Sequence, residues 1–150
     1  MCGIAGFIDF KNSSSPELLK QCTDVLAHRG PDGGGYEFFQ HDHCQIGLGH
    51  RRLSIIDLST AASQPMWYKH YAIIFNGEMY NYAEVKAELE KAGHTYITHA
   101  DTEVVLHAWE EWGAEMIHRF IGMFAFIIYD SNTKELFCFR DRAGVKPFYY

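Results

Sequence analysis

The sequence predicts one α+β domain built on largely antiparallel sheet. Three observations carry this. Strand-like and helix-like stretches cluster by type instead of alternating strictly, which argues against a parallel βαβ architecture. A polar turn, Ser131-Asn132-Thr133-Lys134, is flanked by two strand-like runs, as in an antiparallel hairpin. At 150 residues, 47% hydrophobic and 21% charged, the chain suffices for one core and not comfortably for two.

Residues 2–9 read as a short apolar strand in which Gly3, Ala5 and Gly6 let a neighbour approach the backbone. Ser15 is a natural N-cap with Pro16 at the first helical position, and Leu18, Leu19, Cys22, Val25 and Leu26 follow at helical spacing. Gly30-Pro31 ends that helix. Asp32-Gly33-Gly34-Gly35 then reads as a flexible loop whose glycines lack the Gly-Lys-Ser/Thr ending of a phosphate cradle. Residues 36–40 and 45–50 are two strands joined by a turn over 41–44, and residues 51–56 continue in extended form. Residues 57–64 form a polar loop closed by Pro65.

Residues 71–75 are β-rich and end at Asn76-Gly77, a strong turn dipeptide. Asn81 with Glu84 three residues later resembles a capping box for a helix reaching Lys91, which Gly93 ends. Asp101 reads as the N-cap of the next helix, with Val105, Leu106, Trp109 and Trp112 along its apolar face. A short helix is predicted over 114–120, a hairpin from 122–130 and 135–140, and a last strand over 145–150.

The formal net charge of -6, with no dense Lys/Arg cluster, argues against a nucleic-acid partner. The longest apolar stretch, 122–129, suits a buried strand and not a membrane span. The start lacks a secretory signal, so a cytoplasmic protein is expected. Cys2, Cys22, Cys44 and Cys138 are scattered, with no C-x-x-C pair. On a strand His41 and His43 would share a face without Cys44, so no metal site is expected.

Cys2 becomes the first residue once Met1 is removed, and then carries a thiol and a free α-amine together. An α-amine of pKa about 7.7–8.0 is partly unprotonated near neutrality and can serve as a base for the adjacent thiol, through a bridging water. On position alone, Cys2 reads as a small apolar residue opening a buried strand. Asn76-Gly77 offers a side-chain amide and a backbone N–H, both neutral donors of the kind an oxyanion hole uses. Arg52 suits bidentate binding of a substrate carboxylate, or is half of a solvated pair with Arg51. Glu78 and Asp101 are acidic neighbours of these motifs; alone, each reads as a solvated or capping residue.

At these residues the chain resembles a known family. Cys2-Gly3-Ile4, His28-Arg29-Gly30-Pro31-Asp32, residues 49–58, Gln64-Pro65-Met66 and residues 75–82, 101–107, 122–130 and 140–150 are similar to the glutaminase domain of asparagine synthetase. Order and spacing agree from end to end. The stretches 50–57 and 76–81 favour this branch over the glucosamine-phosphate synthase and phosphoribosyl amidotransferase branches.

The resemblance implies a class II glutamine amidotransferase of the N-terminal-nucleophile hydrolase fold, with two stacked antiparallel sheets between helical layers. It implies that residues 1–150 are a glutaminase domain, C-terminally truncated by several strands and without its synthetase domain. By position, Cys2 matches the nucleophile, and Arg52 the arginine that holds the glutamine α-carboxylate. Asn76 and Gly77 match the oxyanion hole, and Glu78 and Asp101 the acids that hold the α-ammonium. Glutamine is the implied substrate, and the glutaminase step needs no metal or organic cofactor. ATP and Mg belong to the synthetase domain, which would receive ammonia in cis or in trans; a homodimer is the oligomer considered. The rival reading is a non-catalytic module that binds glutamine or a partner surface.

Overall fold

The computed structural model describes residues 2–54 and 59–150. Strands β1 (Gly3–Asp9), β2 (Gly33–Gln40) and β3 (Gln45–Arg52) form one antiparallel sheet in the order β1-β3-β2. Strands β4 (Met66–Tyr68), β5 (Tyr71–Met79), β6 (Gly122–Asp130) and β7 (Glu135–Arg140) form a second, ordered β4-β5-β6-β7. Helix α1 (Pro16–Asp24) packs on the first sheet, while α2 (Tyr82–Lys91) and α3 (Asp101–Trp112) pair on the side of the second. The predicted order of layers, helix, sheet, sheet, helices, is observed.

The alternation of side chains along β5 explains the stacking. Ile73, Phe75 and Met79 enter the core shared with Val104 and Val105 of α3, while Ala72 and Ile74 meet Ile46, Leu48 and Tyr129 between the sheets. Helix α1 begins as predicted: Ser15 Oγ accepts from Leu18 N at 3.2 Å, and Pro16 opens the first turn. It lies so close to β3 that a Cβ on Gly47 would meet Leu19 and one on Gly49 would meet Thr23.

His50 ties the two sheets together. Its ring is fully buried, and Nε2 donates to the Phe75 carbonyl of β5 at 3.2 Å. Burial, with a smaller push from Arg52, lowers its pKa to about 4 against the ordinary 6.5. The folded state therefore resists a proton that the unfolded chain accepts. Stability is fully present above pH 6.5 and falls as the pH drops towards about 4. The expected loss is up to about 3 kcal/mol. Urea melts from pH 7.5 to 4 on the wild type and on His50→Gln test this; the variant flattens the dependence over that window.

Several local expectations give way to longer-range contacts. Gly33, Gly34 and Gly35 open β2 instead of forming a loop, paired with Arg52, Arg51 and His50. The dipeptide Asn76-Gly77 is no turn: β5 runs straight through it, and the hairpin turn lies before it at Lys69-His70, joining the unpredicted β4. Gly77 is there for space, because a Cβ on it would press on the Met123 carbonyl and sit 2.7 Å from Phe124 Cα. Asn81 precedes α2 without a capping bond; its amide joins Arg119 O (2.9 Å) to Ile121 N (2.8 Å). Asp101 is the first residue of α3 and not its cap, since Ala100 takes that place. The preceding N–H groups of Ile97 and Thr98 are held instead by the Glu103 carboxylate, at 2.8 and 2.7 Å.

Residues Gly113–His118 form a 3-10 turn where a helix over 114–120 is predicted. The last stretch is not a strand. Asp141 Oδ1 and Oδ2 take the N–H groups of Val145 and Lys146, and Arg140 donates to the carbonyls of Gly144 and Lys146, so side chains occupy the groups a ladder would use. Residues Ile55 and Ile56 of the predicted extended run, and Asp57 and Leu58 of the following loop, lie outside the described residues.

Candidate active site

Six residues spread from position 2 to position 101 line a single pocket: Cys2, Arg52, Asn76, Gly77, Glu78 and Asp101. Each wall has a local cause. Cys2 leads into β1, and its Sγ accepts from Leu53 N at 3.4 Å. Its carbonyl is held by Arg29 Nε at 3.2 Å. Asp32 pins the facing segment, taking Ser54 N at 2.8 Å on Oδ2 and donating its own N–H to Arg52 O at 3.0 Å. Arg52 itself ends β3 and donates through Nη1 to Ser59 O at 2.7 Å.

The edge of β5 is arranged to leave one donor open. Phe124, opposite Gly77, directs its own N–H and C=O to Asp141 and so exchanges no ladder bonds with Gly77. The N–H groups of Phe75, Gly77 and Met79 therefore point to the other edge, beyond the short β4. There Gln64 Oε1 takes Phe75 N at 2.6 Å and Asp101 Oδ2 takes Met79 N at 3.0 Å. Between these two stoppers, the Gly77 N–H faces the pocket.

Asn76 and Glu78 alternate with Gly77 and share the opposite face of the strand. Asn76 is 4% exposed, yet its Oδ1 is buried with no hydrogen-bond partner among the described residues. An orphaned polar atom beside a pocket marks a group awaiting a ligand, or water. Asp101 is nearly buried, and burial, aggravated by the Glu78 charge, raises its pKa above the ordinary 3.8. Two carboxylates so placed leave a negative corner that a cation relieves. The pocket thus offers a thiol, neutral donors, a guanidinium and an acidic corner.

A family model for the glutamine amidotransferase domain matches residues 1–150. The chain belongs to the glutamine amidotransferase domain family. As an amidotransferase domain it is 43% identical over its whole length to asparagine synthetase [glutamine-hydrolyzing] 1 of Bacillus subtilis, of which it covers 24%. It is 40% identical to a putative asparagine synthetase [glutamine-hydrolyzing] 2 of Methanocaldococcus jannaschii, covering 32%, and 39% identical to the amidase chry2 of Gibberella zeae, covering 24%. The chain therefore spans a quarter to a third of these relatives and corresponds to the amidotransferase part of the asparagine synthetases. Its fold matches glutamine phosphoribosylpyrophosphate amidotransferase from B. subtilis with a TM-score of 0.71 at 19% identity, over 97% of this chain and 38% of that one. The amidotransferase domain has the N-terminal-nucleophile hydrolase fold.

Sequence reasoning underrated Gln64, Thr102 and Arg29. Gln64 closes the β5 edge while its Nε2 donates to Thr102 Oγ1 at 3.1 Å, and Arg29 grips Cys2. Their only signal in the sequence is membership in the motifs Gln64-Pro65-Met66, 101–107 and 28–32. No group of three or more His, Cys, Asp or Glu side chains suited to a metal occurs among the described residues. No described helix is long and apolar enough to cross a membrane.

Proposed function

We propose that this domain hydrolyses glutamine to glutamate and ammonia through Cys2, exposed as the first residue by removal of Met1. The observation that carries the reading is the convergence of Cys2, Arg52, Asn76, Gly77, Glu78 and Asp101 on one pocket. Arg52 takes the α-carboxylate, and Glu78 with Asp101 takes the α-ammonium, which orients the side-chain amide towards Cys2. Sγ attacks the δ-carbonyl carbon, and the thiol proton passes to the α-amine of Cys2. The developing oxyanion is met by Asn76 Nδ2 and the Gly77 N–H, both neutral donors. As the C–N bond breaks, the α-amine returns its proton to the leaving ammonia. Water then adds to the thioester, the oxyanion forms again, and glutamate leaves with regeneration of the thiol.

No step of this sequence draws on a metal or organic cofactor. The ammonia would feed an ATP-dependent synthetase domain, in cis or in trans, for asparagine or a related amide. The reading is tested by intact mass after exposure to an electrophilic glutamine analogue. A chain lacking Met1 that gains one adduct, absent in Cys2→Ala, supports it; a processed chain that takes none points to a non-catalytic binding module.

Asp101→Asn separates the binding role from the fold. The raised pKa means that ionised Asp101 costs stability fully above its folded value. That cost vanishes as the pH falls through the ordinary 3.8. An amide keeps the acceptor for Met79 N without the buried charge. At neutral pH the variant is expected to melt no lower than the wild type, while its KM for glutamine rises about tenfold or more through loss of a charged partner. Calorimetry with steady-state kinetics checks both; an unchanged KM removes Asp101 from substrate binding.

A further inference from the structure

Gln64 and Thr102 are both buried, and both line the pocket beside the six residues already placed there. Gln64 touches all three units that build the site. Its backbone carbonyl lies against β2, so close that a Cβ on Gly35 would clash with it. That ties it to the sheet that holds Arg52 and begins after Cys2. Its side chain reaches the other two units. Phe75 N–H can only donate, so the side-chain atom 2.6 Å from it is Oε1. The amide orientation is thereby settled, and Nε2 donates to Thr102 Oγ1 at 3.1 Å. Phe75 lies two residues before Gly77 on β5, and Thr102 directly follows Asp101 at the start of α3. The strand with the pocket donors is therefore joined to the helix with the acidic corner at two points. One is Met79 N on Asp101; the other is the bridge from Phe75 through Gln64 to Thr102. A single hydrogen bond leaves α3 free to pivot on β5, and the second fixes the angle.

We propose that Gln64 and Thr102 are a pair of positioning residues for glutamine hydrolysis. Their bridge sets the span between the acidic corner at Asp101 and the donors at Asn76 and Gly77, and so places the δ-carbonyl for attack. This rests on the glutaminase reading of the pocket. Neither side chain supplies charge or a proton to the reaction; both act through the elements they join. When the bridge is cut, the amino-acid end of the substrate stays held by Arg52, Glu78 and Asp101, because Asp101 keeps its bond to Met79 N. What is lost is the register of the carbonyl with its donors. A misplacement of about 1 Å costs up to about 10²-fold in rate. The loss falls on kcat and spares KM.

Thr102→Val is the sharpest variant, since it keeps the shape of the side chain and removes only the acceptor. Turnover is counted per Cys2 titrated by the electrophilic glutamine analogue, in chains lacking Met1. The kcat per titrated site is expected to fall about 10- to 100-fold, with KM within about threefold of wild type. Thr102→Ser restores the acceptor and recovers kcat to within about threefold. Gln64→Met lowers kcat at least as far, and adding Thr102→Val to it causes no further loss, because the bridge is already cut. A merely structural pair would lower the melting midpoint and the titratable fraction but not kcat per site, and that result overturns the proposal. So does a rise in KM alone, which would make Thr102 a contact of the bound substrate. If Thr102→Val does not fold, Thr102→Cys, with its weak sulfur acceptor, carries the same comparison. Hydrogen exchange at the Phe75 amide reads the bridge without turnover, and is expected to be about tenfold faster in Thr102→Val. A wild type that hydrolyses no glutamine sinks the glutaminase reading, whereas equal Phe75 exchange in the two chains sinks the bridge.

Discussion

Asn76→Ala is expected to lower kcat for glutamine hydrolysis about 10²–10³-fold, with KM unchanged within a few-fold. Its side chain makes no internal hydrogen bond among the described residues, and its Oδ1 is buried without a partner. Truncation therefore breaks nothing that holds the fold, and the melting midpoint stays close to wild type. A neutral donor aimed where negative charge appears acts in the transition state more than in the bound substrate, so the loss falls on kcat. Asn76→Asp keeps the shape and reverses the electrostatics, and is expected to be at least as slow. Equal changes in kcat and KM would make Asn76 a ground-state contact, and an unchanged kcat would remove it from the oxyanion role.

What could be read from the sequence divides by range. Features made within a few residues were legible: the Ser15-Pro16 start of α1, the end of α2 near Gly93, and the hairpin of β6 and β7. Features that look local but serve distant partners were misread. Asn76-Gly77 has the chemistry of a turn, yet Gly77 answers the closeness of β6. Asn81 and Asp101 have the chemistry of caps, yet their side chains bridge to Arg119 and Met79. A polar side chain beside a helix start has several backbone groups in reach, and only the tertiary arrangement selects one.

The candidate site was legible for a different reason. Cys2, Arg52, Asn76 and Asp101 lie far apart in the chain, and no periodicity relates them; the chemistry of Cys2, Arg52 and Asn76 could be argued singly, but likeness to a family joined them into one site. Motif matching supplies residues that line the pocket and passes over those that shape the edge around it. Gln64 is the clearest case, because its value lies in silencing Phe75 N–H so that the neighbouring free donor is Gly77.

Gly77→Ala is the other change with a large expected effect, on stability and catalysis together. The new Cβ would crowd the Met123 carbonyl and lie 2.7 Å from both Phe124 Cα and Cβ. These are backbone or near-backbone atoms in a central strand, so no rotamer change relieves them. Overpacking of this kind costs about 1–3 kcal/mol or more. Relief by parting β5 from β6 would also move the Gly77 N–H and the Asn76 amide off the oxyanion, so turnover falls further than stability alone requires. Trimming Phe124 to Ala in the same chain does not rescue, because Cα, Cβ and the Met123 carbonyl remain. Thermal melts, kinetics and adduct formation by the glutamine analogue check the pair. A folded Gly77→Ala with wild-type midpoint and turnover would mean that β5 and β6 are not held at this spacing, and that Gly77 does not supply the second donor.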